Sequence, residues 1–180
     1  MNDYADHDWE VLESETEYET GWYTGGYDLV EQPDGSTKKY YWAELPPAVV
    51  VLARAGDELV FVEQYRPTVR ETCLECVAGI VEDGESYTTA GARELREETG
   101  FDADVLAQLE TFDVATGVLR HERGIVYAEG LTPVERDLDD NEFLSVVTVP
   151  VDDALGAARE GPANDATLEA VLLAREEGLL

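Results

Sequence analysis

The chain has 180 residues, enough for one domain, or one with a small appendage, that buries its core without a disulfide or zinc staple. It sets 41 Asp and Glu against 12 Lys and Arg, a formal net charge of -29 that argues against nucleic acid as a partner, and 44% of its residues are apolar, which excludes a disordered chain. No apolar run approaches the roughly 18 residues of a membrane span, and the acidic start MNDYADHDWE has no signal-peptide core, so a cytoplasmic protein is expected.

Residues 1–45 hold all three tryptophans (Trp9, Trp22, Trp42) and six of the nine tyrosines. Within them EQPDGSTK reads as a turn between extended stretches near residues 27–30 and 39–42. Such an aromatic layer either covers the core or forms a subunit interface, where Tyr and Trp are favoured anchors. From Pro46 on, AVVVLAR and ELVFVEQ flank AGDE as a hairpin of apolar strands, and CLECVAG is a further strand ending at Gly79. The loop IVEDGES leads into a helix from about Ser86 to Thr99, with Ser86 as its N-cap and Gly100 as the left-handed residue that ends it. Strands follow near VLAQLETF, GIVYAEGL and LSVVTVPV. Two helices close the chain, VDDALGAARE and DATLEAVLLAREEG, the second with Leu168, Val171, Leu172 and Arg175 on one face. The expected class is α/β, with mixed sheets sandwiched between helices and antiparallel strands at the N-terminus. The expected organisation is a strand layer over 1–45 and a main domain over 46–180.

The carboxylates run along the whole chain, Lys38 and Lys39 are its two lysines, and the other cations are arginines. An acidic DNA mimic is one reading. The favoured one is adaptation to a very salty cytoplasm, where the screening length falls to ~3 Å near 1 M salt. The composition resembles that of extreme halophiles. Cys73 and Cys76 form a lone C-x-x-C; His7 and His121 offer no zinc spacing, so buried, inert thiols are expected, with a redox pair as the alternative.

Chemistry concentrates between Gly79 and Phe101, in G-IVEDG-E-SYTTAGA-R-E-L-R-E-E-T-G-F. Glu94, Glu97 and Glu98 stand at i, i+3 and i+4 and therefore share one helix face. Clustered carboxylates are what a hard divalent cation requires, whereas like charges one turn apart otherwise destabilise the helix. Arg93 can pair with Glu97 one turn on, leaving Glu94 and Glu98 for metal, and Glu85 can reach back to fix the loop against Arg93. Glu-rich helices are cheap in so acidic a chain, but the full spacing of Gly, Glu, Arg-Glu-Leu, Glu-Glu and Gly has a chance frequency on the order of 10⁻⁸ per start.

This pattern is identified as the Nudix box, without gap or substitution, and ECVAGIVEDGES, VEQYRP and DATLEAVLLARE resemble the ADP-ribose pyrophosphatase branch of the Nudix hydrolases. The resemblance implies a Nudix fold and hydrolysis of ADP-ribose to AMP and ribose 5-phosphate with Mg²⁺, or Mn²⁺ in its place. It implies metal binding by the carbonyl of Ala78 with Glu94, Glu97 and Glu98, and catalytic roles for Glu97, Arg93 and Glu142. Asp137, Asp139 and Asp140 share the loop of Glu142, so the base is not singled out by the residues themselves. Arg66, Glu75 and Glu122 would bind substrate; Gly79, Glu85 and Gly100 would fix the loop; Trp22, Tyr23 and Tyr27 are candidates to stack on the base. N-terminal strands that pair or swap between two subunits imply a homodimer. Where the branch often carries Ser-Pro-Gly, this chain has Ala115-Thr116-Gly117, which keeps another nucleoside diphosphate derivative, such as GDP-mannose or NADH, as an alternative substrate. A non-catalytic ADP-ribose sensor is the alternative of another class, and the intact box glutamates speak against it.

The charge balance generates a first prediction. Lowering salt lengthens the screening distance from ~3 Å toward ~10 Å at 0.1 M, so carboxylates repel across the surface. The thermal midpoint should rise clearly from dilute buffer to roughly 2–3 M KCl, and an unchanged midpoint would remove the high-salt reading.

Overall fold

The computed structural model describes residues 9–138 and 142–180. They form two compact units, one of residues up to 46 with 113–122, the other of 47–112 with 123–180.

In the first unit, β1 (Val11–Glu19), β2 (Thr24–Glu31) and β3 (Thr37–Glu44) form an antiparallel meander. The PDGS turn closes β2 on β3: Gln32 N–H donates to Ser36 O at 2.7 Å and Gly35 N–H to Gln32 O at 2.8 Å.

The second unit is built on β4 (Ala48–Ala55) and β5 (Glu58–Arg66), the expected hairpin. β6 (Glu71–Glu75) pairs with β5, and β7 (Val77–Ile80) with β4. The single strand expected over CLECVAG is therefore two. The chain changes neighbours at Cys76, whose N–H donates instead to Thr167 Oγ1 at 2.9 Å. After α1 (Tyr87–Thr99) come β8 (Phe101–Asp113), β9 (Leu119–Arg120), β10 (Glu122–Pro133) and β11 (Leu144–Pro150), then α2 (Val151–Arg159) and α3 (Asp165–Glu176). β9 belongs to the first unit, where it adds to β3 in parallel. The main sheet runs β11-β5-β4-β10-β8, with β4 and β10 parallel.

AVVVLARA is apolar at nearly every position because both faces of β4 are covered. Val49, Val51 and Ala53 pack with Val60, Val62 and Val126 beneath Ala90 and Leu95 of α1. Val50 and Leu52 turn the other way, joining Phe61, Ile125 and Tyr127 under Ala154 of α2 and Ala166, Ala170, Val171 and Ala174 of α3. Of the four residues expected to share a face of α3, Val171 is buried. Leu172 is 48% exposed, and α3 buries its alanines, whose small side chains admit close approach to the sheet. Helices thus cover both sides of the sheet, with α1 packed on β7 and β4. Among the described residues no helix is long and apolar enough to cross a membrane.

Candidate active site

Two caps fix α1 in place. Ser86 lies in extended backbone and its Oγ accepts from Thr89 N–H at 3.2 Å. Gly100 takes φ 73° and donates its N–H to Arg96 O at 2.9 Å, closing the helix where a side chain would be strained. Between these caps Ala90 and Leu95 are drawn into the core, which commits Glu94 and Glu98 to the edge of that core, only 7% and 3% exposed.

Arg93 holds the acidic cluster together. Its Nε and Nη2 donate to Glu85 at 3.2 and 3.1 Å, and Nη2 also to Ile80 O at 2.9 Å. Its Nη1 donates to Glu94 at 2.8 Å and Glu97 at 3.0 Å. All five guanidinium donors are thereby used. Glu85 in turn accepts Glu82 N–H at 3.1 Å, locking the loop to the helix, and its carboxyl is held below the usual range chiefly by the hydrogen bond to Arg93. Arg93 takes Glu94 as well as the expected Glu97, and with every donor committed it orders the cluster rather than reaching toward a ligand.

Gly79 was expected to fix the loop. The structure places it inside β7, opposite Val49, with the Glu94 carboxylate lying against it. A Cβ at 79 would come within 1.9 Å of Glu94 Oε1, so glycine is needed for space rather than for a turn.

Glu98 is left under-compensated. Burial, and then the charges of Glu94 and Glu142, push its carboxyl up to about 8, against the opposing pull of a backbone hydrogen bond from Ala78 and the charge of Arg66. Among the described residues its buried Oε2 has no hydrogen-bond partner. Burial also raises Glu94, with Arg93 opposing. Ala78, whose carbonyl the resemblance assigns to a metal, also supports Glu98 through a hydrogen bond from its backbone N–H. Among the described residues no three carboxylate, histidine or cysteine side chains already stand together at metal-ligand spacing, because Arg93 draws Glu94 and Glu97 to itself. The donor set nevertheless fits a hard cation: an orphaned, buried carboxylate oxygen beside a second buried carboxylate, with a glycine clearing the space.

Arg66 completes this side of the site. Its charge is felt at Glu98, and its Nη2 and Nε donate to Glu75 Oε2 at 2.6 and 3.0 Å. Glu75, expected to bind substrate, is 4% exposed and also accepts Gln64 Nε2 at 3.1 Å and Asn164 Nδ2 at 3.0 Å. Its oxygens are taken up by protein donors, so it serves Arg66.

A model of the NUDIX domain matches residues 44–171. The chain belongs to the NUDIX family. It is 36% identical over 129 residues to an ADP-ribose pyrophosphatase of Bacillus subtilis, covering 70% of each chain. It is 34% identical over 136 residues to a methanol dehydrogenase activator of Bacillus methanolicus, covering 74% of each. A crystal structure of an ADP compounds hydrolase superposes with a TM-score of 0.87 at 26% identity, covering 96% of both chains. The NUDIX fold and hydrolase character expected from the box are thus established.

The other expected residues of this NUDIX hydrolase divide by place. Glu142 lies near enough for its charge to raise both Glu94 and Glu98. Asp139 and Asp140 fall outside the described residues. Glu122 belongs to the first unit. In that first unit Tyr27 is buried, with its hydroxyl donating to Glu13 and Glu15 and Lys39 3.5 Å from its ring, so its faces serve packing; Trp22 and Tyr23 are exposed. Both cysteines are free and buried, and burial pushes the Cys76 thiol up to about 12, far from a reactive thiolate. Asn164 was missed. DATLEA following it signals an N-cap, but no local pattern reveals a partner 89 residues away.

Glu98 generates a pH prediction. Its pKa rises from the ordinary 4.5 to about 8 on folding, so the metal-free folded state holds an extra proton between those values. The stability this contributes is complete below 4.5 and lost as pH climbs through about 8. Melting in chelator at fixed salt should show a midpoint falling from about pH 5 to about pH 8, and Glu98→Gln should flatten that fall. An equal slope in the variant would show that another group is responsible.

Proposed function

We propose that this NUDIX hydrolase cleaves the pyrophosphate bond of ADP-ribose to give AMP and ribose 5-phosphate, with Mg²⁺ (Mn²⁺ serving in its place) held by Glu94, Glu98, Glu97 and the Ala78 carbonyl. The observation that carries the reading is the orphaned Oε2 of buried Glu98 beside Glu94, a pocket of negative charge that only a cation or a proton can balance. Supporting the substrate is the ADP-ribose pyrophosphatase of Bacillus subtilis, similar over most of the chain.

The metal, when bound, neutralises charge developing on the phosphates and lowers the pKa of the attacking water. The chain's residues do the rest. Arg93 keeps Glu85, Glu94 and Glu97 on one side of the helix, from which Glu94 and Glu97 would turn to the metal. Arg66, fixed by Glu75, turns its remaining donors to a phosphate oxygen. Glu142 takes the proton of water as its oxygen bonds to one phosphorus and the bridging bond breaks. A base outside the metal ligands is required, because a carboxylate bound to a cation is a weak one. We read the strand layer over 1–45 as a homodimer interface of a cytoplasmic enzyme in high salt. A second reading, hydrolysis of GDP-mannose, NADH or another nucleoside diphosphate derivative, is favoured by Ala115-Thr116-Gly117, where Ala115 sits at φ 47° in the turn that the branch often builds with Ser-Pro-Gly.

A hydrolysis panel of ADP-ribose, GDP-mannose, NADH, diadenosine polyphosphates and 8-oxo-dGTP, with Mg²⁺ in high KCl, tests the assignment. ADP-ribose should give the highest kcat/KM; a nucleoside triphosphate in first place would overturn the branch. Glu94→Gln and Glu98→Gln should each lower kcat by about 10²-fold, and Glu142→Gln by roughly 10²–10⁴-fold with metal affinity kept. Glu82→Gln, an exposed loop change, serves as the control. A loss below about threefold for Glu142→Gln would move the base elsewhere on the 137–142 loop.

A further inference from the structure

The cap of α3 and the arginine assigned to phosphate meet on one buried carboxylate. Glu75 Oε1 accepts Asn164 Nδ2 at 3.0 Å and Arg66 Nε at 3.2 Å, while Oε2 accepts Gln64 Nε2 at 3.1 Å and Arg66 Nη2 at 2.6 Å. We propose that Asn164 is a positioning residue for substrate binding, acting through Glu75 to set the plane of the Arg66 guanidinium. The inference rests on the reading of Arg66 as a phosphate ligand.

Glu75 is 4% exposed, so water cannot replace a missing donor at its oxygens. The two amides flank the carboxylate from outside the arginine fork and stop it from turning about its own axis. Held so, the carboxylate engages the Nε and Nη2 edge of Arg66 and leaves the Nη1 edge directed away from Glu75. Without the Asn164 amide, Oε1 keeps only its 3.2 Å contact with Arg66 Nε, and the fork loosens. Arg66 is 42% exposed along its side chain, and among the described residues Glu75 is its ion-pair partner.

Asn164 has a second task that a test must separate. Its Oδ1 accepts Thr167 N–H at 3.1 Å, capping α3. Helix docking has a further tie, since Thr167 Oγ1 accepts Cys76 N–H at 2.9 Å where β6 gives way to β7. Asn164→Ser keeps a hydroxyl able to cap the helix and removes only the amide that reaches Glu75.

The experiment compares Asn164→Ser, Arg66→Ala and the double variant, using ADP-ribose or whichever nucleoside diphosphate derivative the panel selects. Asn164→Ser should raise KM by about 3- to 10-fold, the size of one ordinary net hydrogen bond passed on through Arg66, with kcat changed less than about twofold. Its melting midpoint should stay within about 3 °C of the parent. On the Arg66→Ala background the serine should add nothing to KM, because the route runs through the arginine. Parental KM in Asn164→Ser beside a raised KM in Arg66→Ala would overturn the inference and leave the phosphate reading standing. Independent effects in the double variant would overturn it as well. Parental kinetics in Arg66→Ala would remove the phosphate reading, and this inference with it.

Discussion

Everything in the catalytic half of the molecule depends on one guanidinium. Arg93 binds three carboxylates and the carbonyl of Ile80 with all five of its donors, and those partners come from β7, the following loop and α1. Three like charges on adjacent helical turns and a loop end would otherwise repel, and burial of Glu94 would be costly. Lysine cannot take over, because an ammonium is a point charge with three donors, whereas the planar fork serves separate acceptors at fixed angles. One residue therefore allows the loop to close, the helix to sit down on the sheet, and the carboxylates to stand together.

Arg93 does not neutralise the whole cluster. Glu98, on the same face one turn from Glu94, receives a backbone hydrogen bond from Ala78 and feels the charge of Arg66, yet among the described residues its Oε2 has no partner. The contrast explains why the site is both formed and poised. Its scaffold is satisfied by Arg93, and its one unmet demand is for positive charge. Gly79 sharpens the arrangement, since any side chain there would displace the Glu94 carboxylate that lies against it.

Much of this was legible in the chain because local periodicity carries it. Ser86 and Gly100 mark the ends of α1, and the i, i+3, i+4 glutamates place their carboxylates on one face without tertiary knowledge. What was not legible depends on contacts distant in sequence. CLECVAG reads as a continuous strand, and only the changed partner, β5 and then β4, breaks it at Cys76. Apolar spacing groups Leu172 with Val171 on one face of α3, but which residues turn inward is decided by the approach of the helix to the sheet, which buries Ala170, Val171 and Ala174 and leaves Leu172 exposed. Gly79 looked like loop chemistry, while its reason is a carboxylate fifteen positions on. Glu75 looked like a substrate ligand until Gln64, Asn164 and Arg66 were found on its oxygens.

The same logic bears on how so acidic a chain keeps a charged site ordered. With 12 basic residues against 41 acidic ones, cations are scarce, and the structure spends its arginines at junctions. Arg120 pairs with Asp28 at 2.5 Å while lying over the Trp42 ring, and Arg123 reaches Asp165 and Glu169 at 3.4 and 3.2 Å. Pairs exposed on both sides contribute little and weaken further in salt. These pairs each have one covered member, Asp28 with 15% of its side chain exposed and Arg123 with 13%, and the Arg66–Glu75 and Arg93 contacts go further, Glu75 with 5% and Glu94 with 10%. Salt that quiets repulsion over the surface is excluded from those carboxylates and leaves them bound. High ionic strength and an ordered anionic site are thus compatible, since screening acts where charge is in excess and fails to reach where charge is used.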